Sequence, residues 1–401
     1  MLKQNIYIIS HSTGGDDIGP NKRVFLLGKN LSKQNPTIIY ASQFFHKYLI
    51  KPNKHYQLSK NLHIFYLPNI FYKNFLGQFI NQIIFPLVLY FKLVNDFKKL
   101  HPDVIILSSP PPFAMLALIP ILNSLKKPIK LIVDVRDLWP EILFDLHKKS
   151  FLFSIYLRII KNITTKMYNR ANHIISVKEG DLNYIKDSYE TNAKFHFVPN
   201  AYTEEACLID NTFRNHFIEN QYFLVTYAGA LSSYYTLHEL IEVAKKCVLE
   251  YPKIKFIVAG GGKDLELYKS KSKNLSNISF IGKQNKAVIN YILSKSTIAY
   301  LPLKENKFNK HGISTNKLFD YMFHSLPVLG MYDSDFDIVE KFQFGLVEKS
   351  YSPTLLFKKL IMFYEMSTRE REKMGTNGKK LLEAQYLPNS VSSKFENIIN
   401  A

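Results

Sequence analysis

Eleven short apolar runs in two series, each run followed by an amphipathic stretch, constrain the folding of this chain more than any other feature. The first series lies at residues 6–9, 37–40, 104–107, 131–135, 173–177 and 194–198, and the second at 223–228, 255–259, 279–281, 298–301 and 327–329. Continuous apolar runs suit strands buried on both faces, and an amphipathic helix is the crossover that joins parallel neighbours. Two series therefore predict an α/β chain of two Rossmann-like domains with a cleft between them. The strand pattern lapses around residues 200–222, so the expected domains are 1–200 and 201–384, with a terminal helix at about 385–401 packing back on the first. A chain of 401 residues, 46% of them hydrophobic, is long enough for two cores. No internal repeat, low-complexity tract or heptad pattern competes with this reading.

Charge and cysteine content bound the setting. The chain has 52 Lys and Arg against 33 Asp and Glu, a net charge of +19. Residues 1–130 hold 16 of the basic residues against only Asp16, Asp17, Asp96 and Asp103. Such a cationic region suits nucleic acid or an acidic membrane leaflet, and a lysine-rich solvated face is the plainer reading. Cys207 and Cys247 alone make neither a disulfide framework nor a four-cysteine zinc site, which points to a reducing compartment. The opening MLKQNIYIISHSTGG has an apolar run too short for a secretory signal and leads into a glycine turn, so cytosolic synthesis is expected. Residues 62–100 are crowded with aromatic and aliphatic side chains, but Asn81, Gln82, Pro86 and Lys92 interrupt them, and no transmembrane helix is expected. Two readings stay open there. One is an interfacial segment with Lys73, Lys92, Lys98 and Lys99 on anionic lipid; the other is a pair of helices buried under the sheet.

Three clusters carry chemistry. Residues 310–328, KHGISTNKLFDYMFHSLPV, read as a helix start: Ser314 and Thr315 are good N-cap residues, and Leu318, Tyr321 and Met322 have the spacing of a packed face. The unpaired N–H groups and positive dipole end of such a terminus attract phosphate, and Lys317 adds a full charge. Lys310 lies just upstream, Gly312 lets the chain turn between them, and Asp320 stands one turn on, within reach of ribose hydroxyls. In VDVRDLWPE, Asp134, Arg136, Asp137 and Glu141 follow an apolar strand, where α/β sheets present ligand-facing loops. A structural Arg–Asp pair with Trp139 as a packing anchor is the alternative. In VAGGGKDLELY, Gly260, Gly261 and Gly262 end another strand and let a ligand approach backbone. The loop holding Gly14, Gly15 and Gly19 after the first strand lacks the G-x-G-x-x-G spacing of a dinucleotide site, and by itself it reads as a plain βα turn.

Together these residues resemble the retaining GT-B glycosyltransferases of family four, especially the branch that builds bacterial surface polysaccharides on a lipid carrier. Members carry a glycine loop after the first strand, a D-L-W-P-type motif, a P-N stretch at the domain junction and an A-G strand end opening the second domain. A V-A-G-x-G strand, an F-x-G strand and a final P-S-K-x-x-E-Y-M-A-x-G-x-P-V segment follow. Here these are Gly14 with Gly15, residues 137–140, Pro199 with Asn200, Ala228 with Gly229, and residues 258–262, 280–282 and 315–328. The resemblance covers nearly the whole chain. It implies that Lys317 and Lys310 bind the donor diphosphate, that Asp320 contacts the ribose, and that Asp137 serves the acceptor side with Arg136 and Glu141 nearby. It also implies donor contacts from Gly14, Gly15, Gly229, Gly261, Gly262, Ser314, Thr315 and Asn316, with Ile281 and Lys283 at the uracil edge. Departures are Gly312 where the family has an acid, Thr315 for the Pro of P-S-K, Ser325 for a Gly, and no basic residue in GALSSYYTL. Tyr234 or Tyr235 would fill part of that last space.

The implied activity is transfer of a sugar, a hexosamine or N-acetylated sugar, from a UDP-sugar to a polyprenyl-diphosphate-linked saccharide with the anomeric configuration kept. The setting would be assembly of O-antigen, capsule or a related glycan. The family mechanism uses no metal and no cofactor beyond the donor, and nucleic acid is not an expected partner. The expected location is cytoplasmic, peripheral on the inner face of the plasma membrane. Two other readings fit parts of the pattern: a nonhydrolysing UDP-sugar 2-epimerase on the same architecture, and a non-enzymatic basic module for membrane or nucleic acid.

Overall fold

The computed structural model describes residues 3–13, 22–45, 48–49, 55–146, 151–203, 209–219, 222–232 and 234–401. The expectations for Gly14, Gly15, Gly19 and Cys207 fall outside those residues. The chain divides into two compact units, Met1–Ala201 with Pro388–Ala401, and Tyr202–Leu387.

In the first unit the strands are β1 (Ile6–Ser10), β2 (Thr37–Ser42), a small hairpin of β3 (Phe44–Phe45) and β4 (Tyr48–Leu49), β5 (His55–Ser59) and β6 (Leu62–Leu67). β7 (Val104–Ser109), β8 (Lys130–Val135), β9 (His173–Ser176) and β10 (Lys194–Phe197) follow. Eight of them form one sheet in the order β10-β9-β8-β7-β1-β2-β6-β5, parallel throughout except for β5 against β6. The centre is wholly apolar, with Ile8 of β1 registered against Ile39 and Ile106, all fully buried. The order reverses between β1 and β7. In doubly wound sheets ligands collect outside the strand carboxyl ends at such a point.

Residues 62–100 are not a pair of buried helices. They form a strand, β6, and then a single helix, Phe75–Phe97. By length and composition this helix could cross a membrane, yet one face packs within the unit through the buried Phe85, Leu89 and Leu93. Asn81 and Gln82, which break the hydropathy pattern, are buried and bonded, as is Asp96. Asn81 donates to Ile70 O at 2.6 Å, Gln82 accepts from Tyr156 Oη at 2.9 Å, and Asp96 accepts from Tyr40 Oη at 2.8 Å. Lys92 pairs with Asp96 at 2.7 Å and lies 3.9 Å from the centroid of Phe65. The opposite face presents Leu76, Ile80, Leu87 and Phe91 outward, and Phe151, Leu152, Ile155 and Ile159 do the same on helix Phe151–Arg170. Rings join the two helices, with Phe75 5.2 Å from Tyr156.

Helix Pro388–Asn400 belongs to the first unit because its Val391, Phe395, Ile398 and Ile399 complete the same core as Val24, Leu27 and Leu31 of helix Arg23–Leu31. Its end is tied by Lys130 Nζ, which donates to Ile399 O at 2.7 Å.

The second unit has one six-stranded parallel sheet: β11 (Phe223–Ala228), β12 (Ile254–Ala259), β13 (Ile278–Gly282), β14 (Ile298–Pro302), β15 (Val328–Met331) and β16 (Gly345–Glu348). The order β13-β12-β11-β14-β15-β16 is the doubly wound 3-2-1-4-5-6 when counted from β11, so the switch point lies between β11 and β14. Helix His238–Glu250 covers one face through Leu240, Ile241, Ala244 and Cys247. Helix Asn316–Phe323 covers the other through Leu318, Tyr321 and Met322, with Leu382 beside it.

Candidate functional site

In the second unit the residues of interest meet at the carboxyl ends of β11 and β12. Gly229 has φ +156°, and a Cβ there would run into the Lys317 side chain. At Gly260 a Cβ would strike the Gly229 carbonyl, and at Gly262 (φ +155°) the Leu231 carbonyl. Glycine at these three positions is what lets two loops lie against each other with Lys317 across the first. The loops are stitched by Gly229 N–H to Ala259 O at 2.8 Å, Leu231 N–H to Gly261 O at 2.9 Å, and Gly260 N–H to Gly282 O at 2.8 Å.

Lys317 is the second residue of helix Asn316–Phe323. The helix is fixed at the switch point by Tyr321, whose buried hydroxyl accepts from Ala228 N–H at 3.2 Å and donates to Tyr300 O at 3.1 Å. The Lys317 ammonium lies 3.2 Å from the ring centroid of Tyr235 and 5.6 Å from that of Tyr227. Among the described residues no carboxylate forms an ion pair with it. Burial pushes its pKa below the usual lysine value, and Tyr235 draws it partly back.

Thr315 takes the N-cap position as expected, but its hydroxyl makes no capping bond; Oγ1 faces Tyr235 Oη at 3.4 Å. Asn316 is exposed at the helix start, next to Ser314 and Thr315. Asp320 is ion-paired with Lys286. Lys310 is exposed, with its ammonium 2.9 Å from Asp333 and 3.8 Å from Asp335, and those carboxylates raise its pKa. Its charge is matched where that of Lys317 is not. Gly261, Ile281 and Lys283 flank the same loops: Gly282 has φ +70°, and Ile281 O accepts from Gln284 Nε2 at 2.6 Å.

In the first unit the motif after β8 splits by role. Asp134, fully buried, is not a ligand-facing acid. It holds Arg23, with Nη2 at 2.8 Å, and Arg23 also donates to Val198 O at 3.0 Å and Pro199 O at 2.6 Å. Arg136 is therefore not its partner; Arg136 Nη2 donates to Pro110 O at 2.6 Å, and its buried Nε has no bond. Asp137 is exposed at the surface, yet the protein packed around its carboxyl desolvates it and raises its pKa, against the pull of Lys178 and Arg136. Glu141 opens helix Glu141–Leu146 and accepts from Tyr189 Oη at 2.6 Å and Tyr184 Oη at 3.3 Å.

Sequence reading passed over three residues of these sites. Lys178, just past β9 and 3.8 Å from Asp181, stands in a turn with no motif to mark it. Tyr321 reads as a packing residue until its hydroxyl is placed. Arg23 sits on a helix remote in sequence from β8. Among the described residues no three His, Cys, Asp or Glu side chains gather as a metal site would require.

Comparison with known proteins follows these divisions. Residues 60–205 match the family model described as Glycosyltransferase Family 4, and residues 209–381 match the one described as Glycosyl transferases group 1. No curated protein matches the sequence. Among solved structures, sucrose-phosphate synthase from Thermosynechococcus elongatus is similar at TM-score 0.69 and 12% identity over 99% of this chain and 98% of that one. WaaG, a glycosyltransferase involved in lipopolysaccharide biosynthesis, is similar at 0.64 and 13% over 98% and 99%. Anabaena HepE in complex with UDP-glucose is similar at 0.61 and 12% over 99% of each chain. These likenesses establish the two-domain fold, and the two family models cover most of the chain between them. The chain is a glycosyltransferase of the GT-B type, a family 4 domain followed by a group 1 domain.

Proposed function

We propose that this glycosyltransferase moves a sugar, a hexosamine or N-acetylated sugar, from a UDP-sugar to a polyprenyl-diphosphate-linked saccharide with retention of configuration. The observation that carries the donor half is Lys317: a largely buried ammonium at the switch point, over a glycine turn and without a carboxylate partner among the described residues. A desolvated cation of this kind is stabilised by a bound diphosphate and gains most as charge grows on the leaving phosphate. The UDP and UDP-glucose held by Anabaena HepE support a uridine diphosphate donor. Lys310 joins the site by exchanging Asp333 for phosphate. Asp320 exchanges Lys286 for ribose hydroxyls. The glycine loops at Gly229, Gly261 and Gly262, with Ser314, Thr315 and Asn316, line the donor, and Ile281 and Lys283 meet the uracil.

On the acceptor side Asp137 orients the attacking hydroxyl, with Arg136 and Glu141 shaping the site around it. The leaving phosphate oxygen takes the hydroxyl proton as the new glycosidic bond forms on the face the phosphate leaves, and this step uses no metal. The outward apolar faces of helices Phe75–Phe97 and Phe151–Arg170, in a strongly basic N-terminal region, support a lipid-borne acceptor on the cytoplasmic side of an anionic membrane. WaaG, with its role in lipopolysaccharide biosynthesis, supports a surface-glycan setting such as O-antigen or capsule.

Mass spectrometry of products from UDP-hexoses and UDP-N-acetylhexosamines, offered with a short polyprenyl-diphosphate sugar, tests the reading. Lys317→Ala is expected to lose at least about 2 kcal/mol of transition-state stabilisation, roughly a thirtyfold fall in kcat/KM. Near-wild-type turnover in that variant sinks the assignment.

A further inference from the structure

We propose that Tyr235 is a positioning residue for the donor reaction: its ring holds the Lys317 ammonium in place without neutralising it. The inference rests on the donor reading above. Three observations carry it. The ammonium lies 3.2 Å from the Tyr235 ring centroid, with the Tyr227 ring 5.6 Å away on another element. The lysine stem crosses Gly229 where any side chain would collide with it. The Tyr235 ring is itself anchored, through Oη at 3.4 Å from Thr315 Oγ1 and backbone N–H to Ser232 O at 3.0 Å. One tyrosine thus couples the loop after β11 to the residue that opens the Lys317 helix.

The chemistry of the hold matters. A lysine left to solvent samples many rotamers, and ordering it when the ligand arrives weakens binding. A carboxylate would order it but also match its charge, as Asp333 does for Lys310. An aromatic face attracts the cation through its quadrupole and leaves a full positive charge for phosphate oxygens. Tyr235 stands in the segment GALSSYYTL, where the sequence lacks a basic residue of its own. One cation, placed by an aromatic ring, serves there.

Two measurements on the full chain test this. The first is independent of the donor: trace acetylation with acetic anhydride, read at Lys317 by peptide mass spectrometry. Tyr235→Leu is expected to raise Lys317 reactivity at least fivefold toward that of an exposed lysine, while Tyr235→Phe, which keeps the ring, stays within twofold of wild type. The second is UDP calorimetry with donor kinetics. Tyr235→Leu is expected to weaken UDP binding and lower kcat/KM about tenfold each, and Tyr235→Phe to restore both. Adding Tyr235→Leu to Lys317→Ala is expected to cost less than a further twofold, because the tyrosine acts through the lysine. Unchanged Lys317 reactivity in Tyr235→Leu, or losses that multiply in the double variant, overturns the proposal. A wild-type chain that protects Lys317 but does not bind UDP overturns the donor reading and leaves the hold standing.

Discussion

Asp137 is under opposing influences. The surrounding protein raises its pKa, Lys178 and then Arg136 pull it down, and Asp181 pushes it up again. The acceptor-side role proposed for it needs the ionised carboxylate, so on that proposal its pKa sets the acidic limb of the pH–rate profile. Lys178→Met removes the larger of the two stabilising charges and raises that pKa further. The acidic limb of kcat/KM is therefore expected to move to higher pH, with Lys178→Arg close to wild type. A limb that stays in place in Lys178→Met shows that the lysine does not govern Asp137. The short motif VDVRDLWPE leaves a structural Arg–Asp pair open without naming its members, and in the structure Asp134 and Arg136 each bond elsewhere. The partners, Arg23 and the Pro110 carbonyl, come from other segments. The acids at a strand end were legible in sequence; the assignment of each to structure or to chemistry needed the neighbours.

Among the elements, helix Phe75–Phe97 has two working faces. Phe85, Leu89 and Leu93 are buried, whereas Leu87 and Phe91 on the other side are 58% and 67% exposed. Lys73 precedes it, and Lys98 and Lys99 follow it. The proposed membrane attachment places this helix in the plane of a leaflet with its lysines at the headgroups. Leu87→Glu with Phe91→Glu is expected to abolish co-flotation with vesicles containing phosphatidylserine while leaving the melting temperature within a few degrees of wild type. Undiminished flotation excludes this face as the contact. The central strands were legible because each is a mostly apolar run, as IYIIS of β1 and VIILSS of β7 are. β5, whose HYQLS is almost wholly solvent-facing, offers no such signal, and the alternating β6 is hidden in an aromatic stretch. Asn81 and Gln82 read as interruptions because their partners, Ile70 and Tyr156, lie outside the helix.

Across the whole molecule, the chain leaves the first unit at Ala201 and returns to it at Pro388. Val391, Phe395, Ile398 and Ile399 are buried in the first unit's core, and each contributes about 2 kcal/mol. Together they approach the roughly 5–15 kcal/mol that holds a domain folded. A chain truncated after residue 387 is expected to lose protease resistance within residues 1–201 while residues 202–387 stay resistant, as read by limited proteolysis with mass mapping. Equal resistance of both units in that variant refutes the dependence.

That return also fixes an order of events during synthesis. Residues 1–201 leave the ribosome first, but the helix that closes their core comes only after residues 202–387 have been made. At about 5–20 residues per second, the delay is roughly 10 to 40 s. Throughout it the apolar faces of Val24, Leu27 and Leu31 wait for their cover. The nascent first unit thus keeps that apolar surface uncovered until helix Pro388–Asn400 has been made.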